Sequence, residues 1–186
     1  MIEVRIAALA VALLAAPHAA RAQASALAAP APASPAVAAV EELRARGLEV
    51  PVRGIAPDEL RDTFDSRRGS GRRHLAIDIL APRGTPVVAV EDGRIRRLSL
   101  SNGGGGIVVY QVDPTGAFVY YYAHLEGWAD GLAEGDPVTR GQVIGYVGTS
   151  GNAPADTPHL HFAVYRLGPG DRGWHGAPVN PYVVYR

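Results

Sequence analysis

The sequence has no cysteine and no lysine. Without cysteine there are no disulfides, no thiolate metal ligands and no cysteine nucleophile. Without lysine there is no residue to carry a biotinyl or lipoyl group, so the carrier-like segments Asp92-Gly93-Arg-Ile and Gly135-Asp-Pro-Val-Thr-Arg-Gly-Gln-Val-Ile-Gly145 indicate β architecture only. Charge of one sign is not in excess either: 18 basic residues face 18 acidic ones. Removing Arg5, Arg21 and Glu3 with the first 24 residues leaves 16 arginines against 17 acids. A near-neutral chain lacks the basic surface that nucleic acid calls for, so no nucleic-acid partner is expected. Long apolar runs are missing as well. Residues 6–16 are apolar throughout, yet fall short of the roughly 20 residues a membrane helix needs.

What is there divides the 186 residues into four stretches. In residues 1–24, Arg5 precedes the apolar run, and Ala20-Arg21-Ala22 and Ala22-Gln23-Ala24 are small-x-small cleavage sites. This predicts a secretory signal peptide, hence export to the periplasm, with a secreted or signal-anchored form as the alternative. Residues 25–35 are nearly all Ala, Pro and Ser and read as a disordered tether. Residues 36–50 hold one short helix, capped by Ser34, with Pro35 at its first position and Arg44, Arg46 and Gly47 at its end. Val37, Val40 and Leu43 recur every three residues as its docking face, and its place ahead of the main domain makes it a candidate cover for an active site. Residues 51–186 are the size of one domain.

In that domain the pattern is β. Residues 87–90, 93–98, 107–112, 117–123, 142–147 and 160–165 are short runs rich in β-branched and aromatic types, most separated by turn residues. The expected fold is mainly β, an antiparallel sandwich or partly closed barrel. Residues 102–106 and 113–116 read as hairpin connections, the glycine run of the first as a flexible tip.

Three short pieces carry the chemistry: His74-Leu-Ala-Ile-Asp78, Tyr122-Ala-His124-Leu125 and Pro158-His159-Leu160-His161-Phe162. In a strand, residues two apart share a face, so His159 and His161 point together while Leu160 points into the core. His74 and Asp78 share a face by the same alternation, with Leu75, Ile77 and Ile79 as the buried set. Alone, each piece is also what a polar strand face looks like. Together they hold every histidine except His18 and His175. Two imidazoles and a carboxylate suffice for an open zinc site, leaving two imidazoles for proton transfer.

In order, these pieces resemble the lysostaphin-type zinc endopeptidases, also called LytM domains, which cut peptides in bacterial cell walls. The likeness is carried by His74-x-x-x-Asp78 and the Ile-Leu-Ala-Pro-Arg-Gly-Thr-Pro-Val-Val-Ala-Val that follows, Asp92-Gly93, Tyr122-Ala-His124-Leu125, the glycine-flanked residues 135–145, Val147-Gly-Thr-Ser-Gly-Asn152, Pro158-His-Leu-His-Phe162 and Asn180-Pro181-Tyr182. It covers residues 51–186. Ala76 stands where the family commonly has Gly, and the spacer 153–157 before the His-x-His is a second departure. The resemblance implies the family's duplicated hybrid β fold and hydrolysis of peptidoglycan cross-links. It implies one zinc ion per chain held by His74, Asp78 and His161, with His124 and His159 flanking the water and the scissile carbonyl. The expected bond joins D-alanine to a diamino acid, with a glycine bridge as the alternative. Relatives that lost ligands serve as non-catalytic wall-binding or activator domains, but here all five positions are filled.

Among the remaining residues, Arg67, Arg68, Arg72 and Arg73 are a candidate rim for wall-peptide carboxylates. Tyr120, Tyr121 and Tyr122 are expected as core and surface aromatics in preference to a substrate platform, and Trp174 and His175 as part of a surface loop in preference to a cleft wall.

Overall fold

The computed structural model describes residues 34–171 and 176–186. The expected signal peptide, nearly all of the tether, Trp174 and His175 lie outside the described residues.

Helix α1 (Pro35–Arg46) starts at Ser34, whose hydroxyl accepts from Val37 N–H at 3.4 Å, and stops at Gly47. Gly47 adopts φ 61°, the left-handed cap that glycine takes without penalty. The docked face is the expected one in part. Leu43 is buried and Val40 is partly buried against the core, joined by the buried Ala39, whereas Val37 is 48% exposed. Residues four apart lie above one another on a helix, so one buried pair suffices for a short helix and the three-residue series drifts off the face. Arg46 holds the end of α1 to the body. Its guanidinium donates to Glu91 at 3.0 Å, Asp113 at 2.9 Å and Glu42 at 2.8 Å, and lies 4.9 Å over the Phe118 ring. Burial would raise the Asp113 carboxyl, but hydrogen bonds from Thr115, the Phe118 N–H and Arg46 outweigh it and keep the carboxyl below its usual range.

Among the described residues nine strands follow: β1 (Ile77–Leu80), β2 (Pro86–Val88), β3 (Gly93–Leu100), β4 (Ile107–Val112), β5 (Phe118–Trp128), β6 (Pro137–Val138), β7 (Val143–Val147), β8 (His159–Arg166) and β9 (Ala177–Val179). A last turn of helix, α2 (Pro181–Val184), is capped by the Asn180 side chain. The strands form one unclosed antiparallel sheet in the order β1-β8-β5-β4-β3-β6, with β7 branching from β5 to β2 and β9 pairing with β8. The mainly β antiparallel class expected from the sequence is the class observed. β6 and β9 escaped the sequence pattern because each is two or three residues long and contains proline.

The branch occurs on β5, which runs beyond the expected 117–123. Up to Ala123 it pairs with β8, and from Leu125 it pairs with β7. The core is built from its Phe118, Tyr120 and Tyr122 with Leu160 and Phe162 of β8 and Ile77 of β1, all fully buried. Buried polar atoms there are satisfied. The Tyr122 hydroxyl donates to Gln111 Oε1 at 2.7 Å and accepts from Val90 N–H at 3.2 Å, and Gln111 Nε2 donates to the Glu91 carbonyl at 2.7 Å. Because Leu160 and Phe162 face this core, alternation turns His159 and His161 to the other side of β8.

Candidate functional site

Register places the first two site residues. In the β1–β8 ladder Asp78 stands directly opposite His161. His74 arrives differently from the strand alternation expected for it. β1 begins only at Ile77, and Leu75 has φ 57°, a left-handed conformation that costs a non-glycine residue about 1–2 kcal/mol. The kink is held by His74 N–H to the Ser66 carbonyl at 3.0 Å and Leu75 N–H to the Phe64 carbonyl at 2.8 Å. It folds the loop over β1 and brings His74 Nε2 to 3.0 Å from Asp78 Oδ1.

His74, Asp78 and His161 therefore present three ligand atoms to one point. His74 Nε2 lies 2.9 Å from His161 Nδ1, and His161 Nδ1 lies 3.3 Å from Asp78 Oδ1. Yet Asp78 Oδ1 is buried without a hydrogen-bond partner. An orphaned buried carboxylate oxygen between two imidazole nitrogens fits a divalent cation, whose charge would satisfy all three. Burial would raise the Asp78 carboxyl, but His161, His74 and Arg68 outweigh it and hold it ionised, as a ligand must be. The other side of each ligand is also fixed. His74 Nδ1 donates to the Thr63 carbonyl at 2.9 Å, Asp78 N–H donates to Thr63 Oγ1 at 3.1 Å, and Arg68 donates to Asp78 Oδ2. Such outer contacts set the tautomer and orientation of a ligand. Thr63 was not singled out in the sequence, since one of its two contacts uses a backbone carbonyl that leaves no trace in residue type.

His124 and His159 flank this group. Their ring centroids are 5.0 Å apart, His124 lies 5.6 Å from His161, and His159 Nε2 lies 3.8 Å from Asp78 Oδ1. His124 Nδ1 donates to the Ser150 carbonyl at 2.9 Å and His159 Nδ1 to the Thr157 carbonyl at 2.8 Å. Each imidazole thus keeps Nε2 for other work. Burial lowers the His124 pKa to about 4, so it is neutral at pH 7 with that nitrogen free to accept a proton.

His124 reaches this place through a bulge. Two residues, Ala123 and His124, sit on β5 across from the single Val108 of β4, and His124 has φ 62°. Its N–H donates to the Gly105 carbonyl at 2.8 Å. Of the glycine run expected as a flexible tip, Gly103 and Gly104 are exposed, whereas Gly105 and Gly106 form a packed support. Gly104 accepts from Asn152 N–H at 3.0 Å, and Ile107 N–H donates to Ser150 Oγ at 2.9 Å. Gly106 has φ 69°, and a methyl group there would collide with the backbone of Ser150 and Gly151. Gly106→Ala should push the two loops that hold His124 apart. The expected outcome is a fall in turnover of about 10²-fold with metal content unchanged, checked by kinetics and metal analysis on the same preparation.

These side chains open onto a cleft of about 790 Å³. Tyr121 lines it, with its ring 5.9 Å from His161, while Tyr120 and Tyr122 are core. The tyrosine run thus supplies core residues, as expected, and one residue of the cleft wall. Ala153, Pro154 and Thr157 of the spacer form another part of the wall. Ala76 is buried, so its methyl is accommodated in the core. No residue of α1 is among those lining the cleft, which removes the helix as a cover in this structure. Of the expected arginine rim, Arg68, Arg72 and Arg73 line the cleft together with Arg61, and Arg67 does not.

Residues 72–181 match the profile of peptidase family M23. The chain is 38% identical over 134 residues to an L-Ala–D-Glu endopeptidase of Bacillus subtilis, a match covering 68% of this chain and 39% of that protein. It is 38% identical over 93 residues to the glycyl-glycine endopeptidase ALE-1 of Staphylococcus capitis, covering 50% of this chain and 25% of that protein. The chain thus spans well under half the length of either relative. Among solved structures, the catalytic domain of lysostaphin from Staphylococcus simulans superposes with a TM-score of 0.57 at 27% identity, over 68% of this chain and 90% of that one.

Proposed function

The chain belongs to peptidase family M23, and from that premise we propose that it is a zinc endopeptidase hydrolysing peptide cross-links of bacterial peptidoglycan. The observation that carries this reading is the orphaned Asp78 Oδ1 between two imidazole nitrogens, with two further imidazoles beside it. His74, Asp78 and His161 would hold one zinc ion per chain, a nitrogen and oxygen donor set that suits it. A bound zinc ion supplies Lewis acidity, lowering the pKa of water to about 7 and polarising a carbonyl.

The rest of the work falls to the chain. One of His124 and His159 takes the proton of the attacking water on Nε2 and passes it to the leaving amine. The other hydrogen-bonds the oxygen of the developing tetrahedral centre, a contact worth about 3 kcal/mol in comparable sites. Both rings are held by Nδ1 donation to a fixed carbonyl, so neither has to reorient during the step. Tyr121 and the spacer residues Ala153, Pro154 and Thr157, all in the cleft lining, would contact the peptide.

The bond we favour joins D-alanine to a diamino acid. The relatives' printed names span an L-Ala–D-Glu and a glycyl-glycine bond, so family membership alone leaves the choice to this cleft. The domain 51–186 would act after signal cleavage at residue 24 and export to the periplasm, with residues 25–35 as its tether. Among the described residues no helix is long and apolar enough to cross a membrane.

Mass analysis of digested peptidoglycan tests the assignment. The expected products carry a new D-alanine carboxyl and a new diamino-acid amine. Intact cross-links together with no bound zinc would hand the chain to the non-catalytic wall-binding or activator class, whereas zinc without cleavage would point to an autoinhibited enzyme or a missing activator.

A further inference from the structure

The wall of the cleft that faces the metal ligands from residues 61–73 is cationic in an otherwise near-neutral chain. Among the described residues four arginines line the cleft, Arg61, Arg68, Arg72 and Arg73, against a single carboxylate, Asp78. Three of them stand on a small hairpin. Arg67 bridges Arg73, Arg68 N–H donates to the Arg72 carbonyl at 2.8 Å, and residues 69–71 make its turn. Two of the four guanidinium groups are engaged, Arg68 with Asp78 and Arg73 with Asp65. Arg61 and Arg72 are exposed and have no ion-pair partner among the described residues. Arg61 also lines a neighbouring hollow of about 270 Å³ that shares Asp78 and Leu80 with the cleft and has Glu59 in its lining, so the basic character belongs to the cleft side. If Asp78 is committed to a cation, no acid is left in the cleft lining to answer the arginines.

We propose that Arg61 and Arg72, together with Arg68 and Arg73, form a carboxylate-binding wall, so that the chain selects peptides bearing a free carboxylate near the scissile bond over neutral ones such as glycine bridges. Guanidinium groups pair with carboxylates through two parallel N–H donors, which fixes orientation as well as charge. A cationic cleft also gathers anionic ligands before they dock. The proposal rests on the endopeptidase reading, since it names the substrate class of the same cleft.

The test uses the full metal-loaded chain and two synthetic cross-linked peptides that differ only in whether the carboxylate beside the scissile bond is free or amidated. Cleavage gives kcat/KM for each. Equilibrium binding of uncleavable twins, with the scissile amide N-methylated, gives affinity apart from chemistry. The expected result is a preference for the free acid of about tenfold in both readouts, falling to near parity in the Arg61→Gln/Arg72→Gln double variant. Arg67→Gln, outside the cleft, keeps the preference. Equal handling of both peptides by the wild type, or a preference that survives the double variant, overturns the wall. Cleavage of both peptides at equal rates would do so while leaving the endopeptidase standing. Acid-selective binding without cleavage of either peptide would support the wall and sink the endopeptidase.

Discussion

His161→Ala is expected to lose its metal and its activity together while keeping its fold. The imidazole removed is one of three groups converging on a single point, 2.9 Å from His74 Nε2 and 3.3 Å from Asp78 Oδ1. Two ligands remain, one short of the three protein ligands that an open zinc site uses. Changing a group that merely orients a ligand costs about 10–100-fold in metal affinity, so removing a ligand should cost more than the upper end of that range. The fold should survive because β8 is anchored from its opposite face by Leu160 and Phe162, both fully buried and both untouched. Metal analysis after dialysis and a thermal melt on the same sample check both halves. A variant that keeps stoichiometric metal would remove His161 from the ligand set.

The second large effect separates metal from chemistry. His124→Ala and His159→Ala should each retain metal and lose turnover by about 10²–10⁴-fold, the range for a positioned proton-transfer group. KM should change little, because the cleft walls formed by Tyr121 and residues 153–157 are unaffected. The double variant should be no worse than about the more damaged single one, since two groups serving one step are not additive. Loss of metal in either single variant would mean that its imidazole belongs with the ligands and that the division of labour is wrong.

The parts of this site differ in how far residue types reveal them. The shared face of His159 and His161 was legible from alternation, because Leu160 between them marks the buried face. The pairing of β1 with β8 was not. His74 and His161 are 87 residues apart, and no local pattern encodes a contact across that distance. The ordered set of motifs supplied it through resemblance. His74 was expected in the right company by the wrong route, because a left-handed leucine carries no sequence signal. The same holds for the bulge at His124. The glycine run was read as flexible since glycine reports permitted conformations and not what packs against it. Its tight approach to Ser150 and Gly151 is visible only in three dimensions. The ends of α1 were legible in Ser34 and Gly47, which cap by local chemistry, while its buried face depended on the surface it met.

The central claim is that one cation, held by three of these five side chains, makes the cleft a peptidase. Stripping the purified chain with a chelator and titrating zinc back, while following the loss of cross-linked dimers from isolated peptidoglycan, tests it most directly. The account predicts that cleavage disappears on stripping, returns with zinc and saturates at about one ion per chain. Cleavage that persists in the stripped protein, or zinc bound at that stoichiometry with every cross-link intact, would contradict it.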